Sequence, residues 1–484
     1  MNKIEAIVFL IYLVFMLGVG VYFFLRSKNA GEKDYFLGGR KMGPWVSALS
    51  AGASDMSAWV LLGLPGSIYA VGLGKAWIAI GLAVGYAVCW LTEAPRLRRF
   101  TIAANDSITL PQYLTNRFLS KSMALRIVCA VIFLVAYTVY AASSMKACGT
   151  LFHNVFNVDA TKAMYFSAII ILGYTFLGGF SAVCWTDFFQ GMLMLGALLI
   201  APIFALVAIG NGEGTVTAAE LPEGFFNLFP DWKTVVSGLG WGLGYFGMPH
   251  IIVRYMAVRS DKDIRKSAKI GITWNVLIVI FSVAAGVVGH LLVGEIADES
   301  TVFIKMVEAI FPALIVGILL SAILAASMST ADSQLLASAS AFASDVYKPI
   351  IRKDKASDKE MLWAGRLVVV AITVVAVIIA SNPNSGTIMS LVENAWGLFG
   401  AAFSPVILLS LYWKKLNFKG ALAGIITGAA VDVLWLAFLA DTGLYEIIPG
   451  FLAGLLVSIL VTKLTGGADE AVQALYDKAD RSED

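Results

Sequence analysis

A short polar run interrupts an apolar stretch in the second half of the chain. Residues 326–333 read ASMSTADS. On an α-helix, Ala326, Ser329 and Ser333 would fall within about 60° of one another, with Thr330 and Asp332 on either side. Hydroxyl and carbonyl oxygens are hard ligands without a large charge, so they suit a monovalent cation better than zinc or copper. The run predicts a cation-binding face, although hydroxyls that bond to their own helix backbone would give a similar pattern.

Two other segments combine small residues with features that weaken a helix. Residues 47–59 read SALSAGASDMSAW, and residues 238–249 read GLGWGLGYFGMP. Glycine and proline both destabilise helices, and a break inside a membrane is tolerated where the freed backbone lines a cavity or coordinates a ligand. We expect both segments to be interrupted helices beside a binding site. The alternative is that small residues only allow close helix packing.

Carboxylates inside apolar stretches are costly and indicate functional sites. Asp332 belongs to the polar run, and Asp55 lies in the first interrupted segment. In a continuous helix Asp55 would project about 160° to 200° away from Ala53 and Ser57. It would then either act through the break or organise the helix ends around it.

A third carboxylate, Asp187, lies near the start of another apolar stretch. An acidic residue at that position also stabilises a helix N-terminus, so a capping role and a site role both stay open. Glu393 and Asp432 are further acidic residues in apolar stretches, and the sequence assigns them no role.

Aromatic side chains accompany the interrupted segments. They offer apolar surface with a polar handle, which a pocket for a small zwitterion with an apolar ring would use. Most aromatic residues of membrane proteins are interfacial anchors instead, which is the alternative. The candidate pocket residues are Trp59, Tyr140, Trp241, Tyr245, Met248 and Pro249.

The composition indicates where these residues must be held. The chain has 484 residues, of which 59% are hydrophobic and 14% charged, with a mean hydropathy of +0.80. Soluble domains carry about 25% charged residues, so an all-α integral membrane protein is expected. The net charge of +2 gives no general attraction to nucleic acid.

Several other classes of protein are not indicated. The four cysteines and three histidines are scattered without the spacing of a disulfide framework or a metal site. The sequence shows no phosphate loop and no ordered nucleophile and base. We therefore expect neither an enzyme nor a cofactor, and no obligate protein partner is evident.

Hydropathy predicts thirteen membrane spans. The first, 4–25, is too long for a signal peptide and is expected to be retained. Lys and Arg collect in alternate connections (26–41, 96–121, 259–266, 348–359 and 414–419), whereas 213–231, 295–299 and 441–446 are acidic. This predicts an outside N-terminus and a cytoplasmic C-terminus. The spans are 4–25, 44–70, 73–92, 123–151, 161–180, 184–210, 233–256, 269–291, 310–345, 361–380, 387–412, 418–439 and 444–464.

The two interrupted segments lie in the second and seventh spans. These two positions are five spans apart. Because five is odd, two five-span blocks that begin with these spans must enter the membrane from opposite sides, as inverted repeats do. The predicted units are 1–43 (first helix and loop), 44–210 (first repeat), 211–413 (second repeat), 414–465 (peripheral helices) and 466–484 (cytoplasmic tail).

Five motifs resemble those of the sodium/solute symporter family, and in particular its proline-transporting branch. They are DYFLGGR at 34–40, ALSAGASDMS at 48–57, GLPG at 63–66, GWGLGYFG at 240–247 followed by Pro249 and His250, and LSAILAA at 320–326. The resemblance covers nearly the whole chain. It implies a LeuT-like core of five plus five spans. It also implies that the protein lies in the plasma membrane, which would be the inner membrane of a bacterium.

The resemblance also implies residue roles. A sodium ion would bind backbone oxygens of the second span and face the polar run of the ninth; these ligands are Ala53, Met56, Ala326, Ser329 and Thr330. Trp59, Tyr140, Trp241, Tyr245 and Pro249 match positions of the proline pocket. Positions tied to sodium use or coupling are matched by Arg40, Asp55, Ser57 and Asp187, and Ser57 also borders the pocket.

Two departures from the family pattern are expected to matter. Met248 stands where the proline branch has Gln, which removes a hydrogen-bonding amide beside the pocket. Asp332 and Ser333 replace a Ser-Cys pair, so that an acidic oxygen could strengthen a second cation site or admit a proton.

The sequence thus predicts sodium-coupled uptake of L-proline, or a similar small molecule, by alternating access. Sodium, the substrate and membrane lipid are the expected partners. One alternative is symport of another small amino acid or a carboxylate, with a proton taking part through Asp332. A channel or a sensor is a second alternative, although the short stretch after Lys463 leaves little room for an output domain.

Overall fold

The computed structural model describes residues 3–26, 32–353 and 355–481. Over these ranges the chain is helical, and its single β-bridge joins Met42 to Val258. The α-helices are α1 (Lys3–Arg26), α2 (Glu32–Leu37), α3 (Pro44–Asp55), α4 (Gly63–Val71), α5 (Ala76–Val88), α6 (Ala94–Ala103), α7 (Leu110–Arg117), α8 (Ala124–Phe156), α9 (Ala160–Gly210), α10 (Trp232–Gly240), α11 (Pro249–Ala257), α12 (Asp261–Val293), α13 (Val302–Ile310), α14 (Ala313–Ala341), α15 (Asp358–Ser381), α16 (Ile388–Tyr412), α17 (Phe418–Phe438), α18 (Ile447–Leu464) and α19 (Glu470–Arg481).

Ten helices of the described ranges are long and apolar enough to cross a membrane. The predicted spans outside these ten are the second, fifth and seventh. Shorter apolar helices, Ala58–Val71 and Ala160–Gly173, occupy much of the second and fifth, and α10 and α11 share the seventh. A multi-pass membrane protein is therefore supported, whereas the count of thirteen and the sides of the termini stay predictions. Lys28, from the first basic connection, lies outside the described residues.

The second span is interrupted where its sequence predicted a break. Helix α3 ends at Asp55, and Met56 leaves helical geometry with φ −78° and ψ 73°. Ser57 is extended, and its hydroxyl accepts a hydrogen bond from the Trp59 amide, which begins a 3-10 turn over Ala58–Val60. The chain then continues as α4.

The seventh span is interrupted as well. After α10, residues Trp241–Phe246 form a 3-10 helix, and Met248 is extended before α11 begins at Pro249. Proline suits the first position of a helix, where its missing N–H would lack a helical partner in any case. Both predicted breaks are therefore confirmed.

A single glycine separates the predicted fifth and sixth spans within α9. Gly179 has φ +61° and ψ −179°, a conformation that L residues rarely adopt. A Cβ there would also lie 2.9 Å from the Tyr35 ring. This bend lies where the predicted spans 161–180 and 184–210 meet, and no separate loop joins them.

The predicted cytoplasmic tail contains a packed helix. Residues 466–481 are described, and α19 covers Glu470–Arg481. The Tyr476 hydroxyl donates to Leu411 O at 3.1 Å, and Arg96 pairs with Asp480 at 2.6 Å. The end of the chain is thus held against the ends of α6 and α16, and residues 482–484 lie outside the described ranges.

Candidate ion and substrate site

Four predicted sodium ligands meet between α3 and α14. The Ser329 hydroxyl lies 2.8 Å from Ala53 O and 3.1 Å from Ala326 O, and Thr330 Oγ1 lies 3.4 Å from Ala53 O. All four residues are fully buried. Two carbonyl and two hydroxyl oxygens therefore gather in one place, a donor set suited to a hard monovalent cation.

The break in the second span exposes one of these carbonyls. In a continuous helix, the Ser57 amide would bond to Ala53 O. Here the Ser57 amide donates to Asp55 O at 2.9 Å, which leaves Ala53 O to the hydroxyls of α14. Met56, the remaining predicted ligand, is fully buried at the point where α3 ends, and its role stays a prediction.

Asp55 connects the two interrupted spans. Tyr245 donates its hydroxyl proton to Asp55 Oδ2 at 2.5 Å, and Tyr140 donates to Asp55 O at 3.4 Å. Asp55 Oδ1 is buried without a hydrogen-bond partner among the described residues. Of the two roles left open by the sequence, the structure therefore supports an organising role at the break.

His250 makes a second connection between the same spans. Its Nε2 lies 3.1 Å from Ser54 O, and its backbone amide donates to the Tyr137 hydroxyl at 2.9 Å. Sequence analysis noted His250 only as part of a motif. These bonds position the start of α11 against the end of α3.

Three predicted pocket residues form one aromatic cluster with Trp396, which the sequence analysis missed. Trp59 and Trp241 have ring centroids 6.1 Å apart, and Trp396 lies 6.3 Å from Trp241 and 5.1 Å from Tyr245. The Trp396 indole N–H donates to Trp241 O at 2.8 Å. All of these rings are buried.

Of the other predicted pocket residues, Tyr140 and Ser57 are linked to this cluster by hydrogen bonds. Tyr140 donates its hydroxyl proton to Asp55 O, and Asp55 accepts a hydrogen bond from Tyr245 of the cluster. The Ser57 hydroxyl accepts a hydrogen bond from the amide of Trp59. Met248 is fully buried just before α11, while Pro249 lines a small cavity of about 30 Å³ shared with Arg254 and Ser333.

The predicted coupling residues Asp187, Asp332 and Ser333 come together around Arg254. Arg254 Nη2 lies 3.1 Å from Asp187 Oδ2 and donates to the Ser333 hydroxyl at 2.5 Å. Ser333 in turn donates to Asp332 Oδ1 at 3.3 Å, and Ser50 donates to Asp187 Oδ2 at 2.7 Å. We call these five residues the α11 charge cluster.

The capping role considered for Asp187 is wrong. Asp187 lies two helical turns beyond the bend at Gly179, and its carboxylate is fully buried in an ion pair with Arg254. Arg254 had not been recognised from the sequence as the partner of Asp187. The only sequence signal for Arg254 was its position as a basic residue inside a predicted span.

Three buried oxygens around the α11 charge cluster have no hydrogen-bond partner within the described ranges. They are Asp187 Oδ1, Asp332 Oδ2 and Gln190 Oε1. Gln190 donates its amide to the Tyr12 hydroxyl at 2.9 Å, so α1 also borders this region. Buried polar atoms are normally satisfied by protein, water or an ion, and these three oxygens leave room for such a partner.

Arg40 lies apart from both groups of residues. Its guanidinium bonds to Asp106 Oδ1 at 2.9 Å, Ser107 O at 2.8 Å and Met256 O at 2.5 Å. Partial burial alone would raise the pKa of Asp106, but hydrogen bonds and charge from Lys33 and Arg40 lower it below its usual value. Arg40 thus clamps an ionised loop carboxylate to the end of α11.

Known proteins are similar to this chain in sequence. The model of the sodium:solute symporter family matches residues 35–428. The osmoregulated proline transporter OpuE of Bacillus subtilis (strain 168) is 43% identical and covers 98% of both chains. Sodium/proline symporter 2 of Staphylococcus saprophyticus is also 43% identical, over 96% of this chain and 94% of its own.

Solved structures share the fold. A Na⁺-coupled sialic acid symporter in a substrate-bound outward-open state has a TM-score of 0.80 at 20% identity, covering 97% of this chain and 99% of its own. MhsT in complex with L-phenylalanine has a TM-score of 0.56 at 15% identity, covering 86% and 97%.

These neighbours confirm the predicted all-α transporter fold, and the matched family is one of transporters rather than enzymes. The family model matches most of the chain, and the relatives are similar over their full lengths. The chain therefore belongs to the sodium:solute symporter family.

Proposed function

We propose that this protein takes up L-proline together with sodium by alternating access. The observation that carries the proposal is the meeting of Ala53 O, Ala326 O and the hydroxyls of Ser329 and Thr330 beside the break in the second span. Two relatives at 43% identity are named as a proline transporter and a sodium/proline symporter, which supports proline as the substrate. The cytoplasmic membrane of a bacterium is the proposed location.

Coupling follows from the position of the ion. A sodium ion between α3 and α14 would hold the end of α3 in place, and Asp55 at that end bonds to Tyr245 of the seventh span. The aromatic cluster would therefore take its substrate-binding shape most often when sodium is bound. Differential stabilisation of this kind is what links two ligands, and each charge that moves through 100 mV supplies about 2.3 kcal/mol.

Participation of a second cation or a proton is a finer proposal. The α11 charge cluster contains two carboxylates and one guanidinium, so it has a net negative charge when all three are ionised. Asp187 Oδ1 and Asp332 Oδ2 are buried without hydrogen-bond partners. One additional positive charge at Asp332 would neutralise the cluster.

The direct test is uptake of labelled L-proline into proteoliposomes under an imposed sodium gradient. Thr330→Val should raise the sodium concentration for half-maximal uptake, because it removes one proposed ligand. Ser321→Ala is a matched control, since Ser321 is a buried serine of α14 whose hydroxyl donates, among the described residues, to Gly317 O of its own helix. Equal uptake without sodium would contradict coupling.

Two further variants address the finer points. Met248→Gln, tested by competition with unlabelled amino acids, should shift the substrate preference if Met248 borders the pocket. Asp332→Ser should change the pH dependence of uptake if a proton binds there, whereas a purely structural Asp332 would leave ion and pH dependence unaltered.

A further inference from the structure

Two carboxylates outside the sites described above converge on one glycine near the predicted outer face. Asp432 lies on α17, and Glu446 directly precedes α18. A Cβ added at Gly397 of α16 would lie 3.0 Å from Asp432 Oδ1 and 3.2 Å from Glu446 Oε1. Acidic oxygens from two chain segments therefore border one small space, which exists because residue 397 has no side chain.

Both oxygens are shielded from water and unsatisfied. Asp432 is 2% exposed and Glu446 is 7% exposed. In the part of the chain that the structure describes, no hydrogen bond reaches Asp432 Oδ1 or Glu446 Oε1. Buried carboxylates this close repel each other when both are ionised, and a cation bound between them removes that repulsion.

A polar cavity leads to this space. Its volume is about 420 Å³, and it is lined by Glu446, Lys75, Glu393 and the exposed loop that follows α17. Trp241 of the aromatic cluster and Tyr445 line it too, and their ring centroids are 5.3 Å apart. Glu446 lines this cavity and also borders the space at Gly397 beside Asp432, so the cavity and the space adjoin at the Glu446 side chain.

We infer that Asp432 and Glu446 bind a divalent cation such as Ca²⁺ against Gly397. Calcium prefers carboxylate oxygens and completes its shell with carbonyls and water. Two carboxylates neutralise a divalent ion, whereas sodium would leave a buried negative charge. The described residues hold no cluster of three or more acidic, His or Cys ligands, so water from the cavity must supply part of the shell.

The proposed ion would hold the peripheral helices against the substrate-binding core. Trp396 precedes Gly397 on α16 and bonds to Trp241 O, so an ion at Gly397 joins α17 and α18 to the wall of the aromatic cluster. It would stabilise the folded protein without being transported.

The test uses the purified full-length protein, treated with a chelator in choline chloride, so that no sodium is present. Thermal unfolding is followed by tryptophan fluorescence while CaCl₂ is added, and terbium luminescence provides a direct binding signal. We expect a saturable rise in the melting temperature. Since loss of even an outer-shell partner weakens metal binding ten- to a hundredfold, Asp432→Asn should raise the half-maximal calcium concentration at least about tenfold.

Controls separate binding from misfolding. In chelator, Asp432→Asn should be at least as stable as the parent, because it removes the repulsion with Glu446. Gly397→Ala should abolish the calcium response, because the added methyl group fills the space. Asp441→Asn changes an exposed residue of the same outer loop and should keep the response. A parent without a calcium response, or an unchanged response in Asp432→Asn, would overturn the inference. An equal, Asp432-dependent response to sodium alone would overturn the divalent assignment.

Discussion

The ion pair between Arg254 and Asp187 allows a quantitative test of the α11 charge cluster. The two side chains are 2% and 0% exposed, and Nη2 and Oδ2 are 3.1 Å apart. Removal of one member of a buried pair costs about 3–5 kcal/mol, because the other charge stays buried without compensation. Arg254→Met is therefore expected to lower the free energy of unfolding by about that amount.

A double-mutant cycle isolates the pair from the other bonds that Arg254 makes. Its bonds to Ser50, Ser333 and His250 O are lost in both Arg254→Met and Asp187→Asn/Arg254→Met, so they largely cancel. The double variant should cost less than the sum of the two single variants by at least about 2 kcal/mol.

The assay is equilibrium unfolding in mixed micelles with a rising fraction of denaturing detergent. The matched control is Lys305→Met, which breaks a 2.9 Å ion pair with Glu308 whose side chains are 39% and 33% exposed. Exposed pairs contribute up to about 1 kcal/mol, so this variant should be nearly neutral. If Arg254→Met were equally mild, or if the two single effects simply added, the buried pair would not exist as described.

Two further predictions concern the interrupted spans. Tyr245→Phe removes the hydroxyl donor of Asp55, and because a hydrogen bond contributes about 0.5–1.5 kcal/mol net, sodium-dependent proline binding should weaken by up to roughly tenfold; an unchanged Kd would contradict the organising role of Asp55. Gly244→Ala places a Cβ 2.1 Å from Trp396 Nε1 and should destabilise the protein strongly in thermal unfolding. Gly196→Ala, with nothing within 4 Å of the added Cβ, should be neutral or stabilise the helix by up to about 1 kcal/mol.

The breaks and the polar run could be predicted because their causes are local. Glycine, serine and proline alter backbone preferences within a few residues, and Met56 and Met248 leave helical geometry close to those residues. The oxygens of Ser329 and Thr330 share a helix face by spacing alone. That Ala53 O meets them was implied by resemblance to a family, and the packing of α3 on α14 then placed these atoms within hydrogen-bond distance.

The partners of buried charges could not be predicted in this way. Asp187 and Arg254 are 67 positions apart, and either could have paired elsewhere. Trp396 lies in the predicted span 387–412, and the sequence assigned it no site role, because an aromatic residue in an apolar stretch carries no local signal of its neighbours. The sequence assigned no role to Asp432 and Glu446, because α17 and the segment before α18 meet at Gly397 only in the folded chain.

The sequence by itself determined that this chain is a multi-pass helical membrane protein, where its helices break, and which hydroxyls share one helix face. These properties follow from composition and from backbone preferences that act over one or two helical turns. The tertiary structure decided which buried charges pair, which aromatic rings pack together, and which glycine brings two carboxylates close to each other. Those outcomes depend on contacts between segments far apart in the chain, where burial in a low-dielectric interior makes each unpaired charge costly.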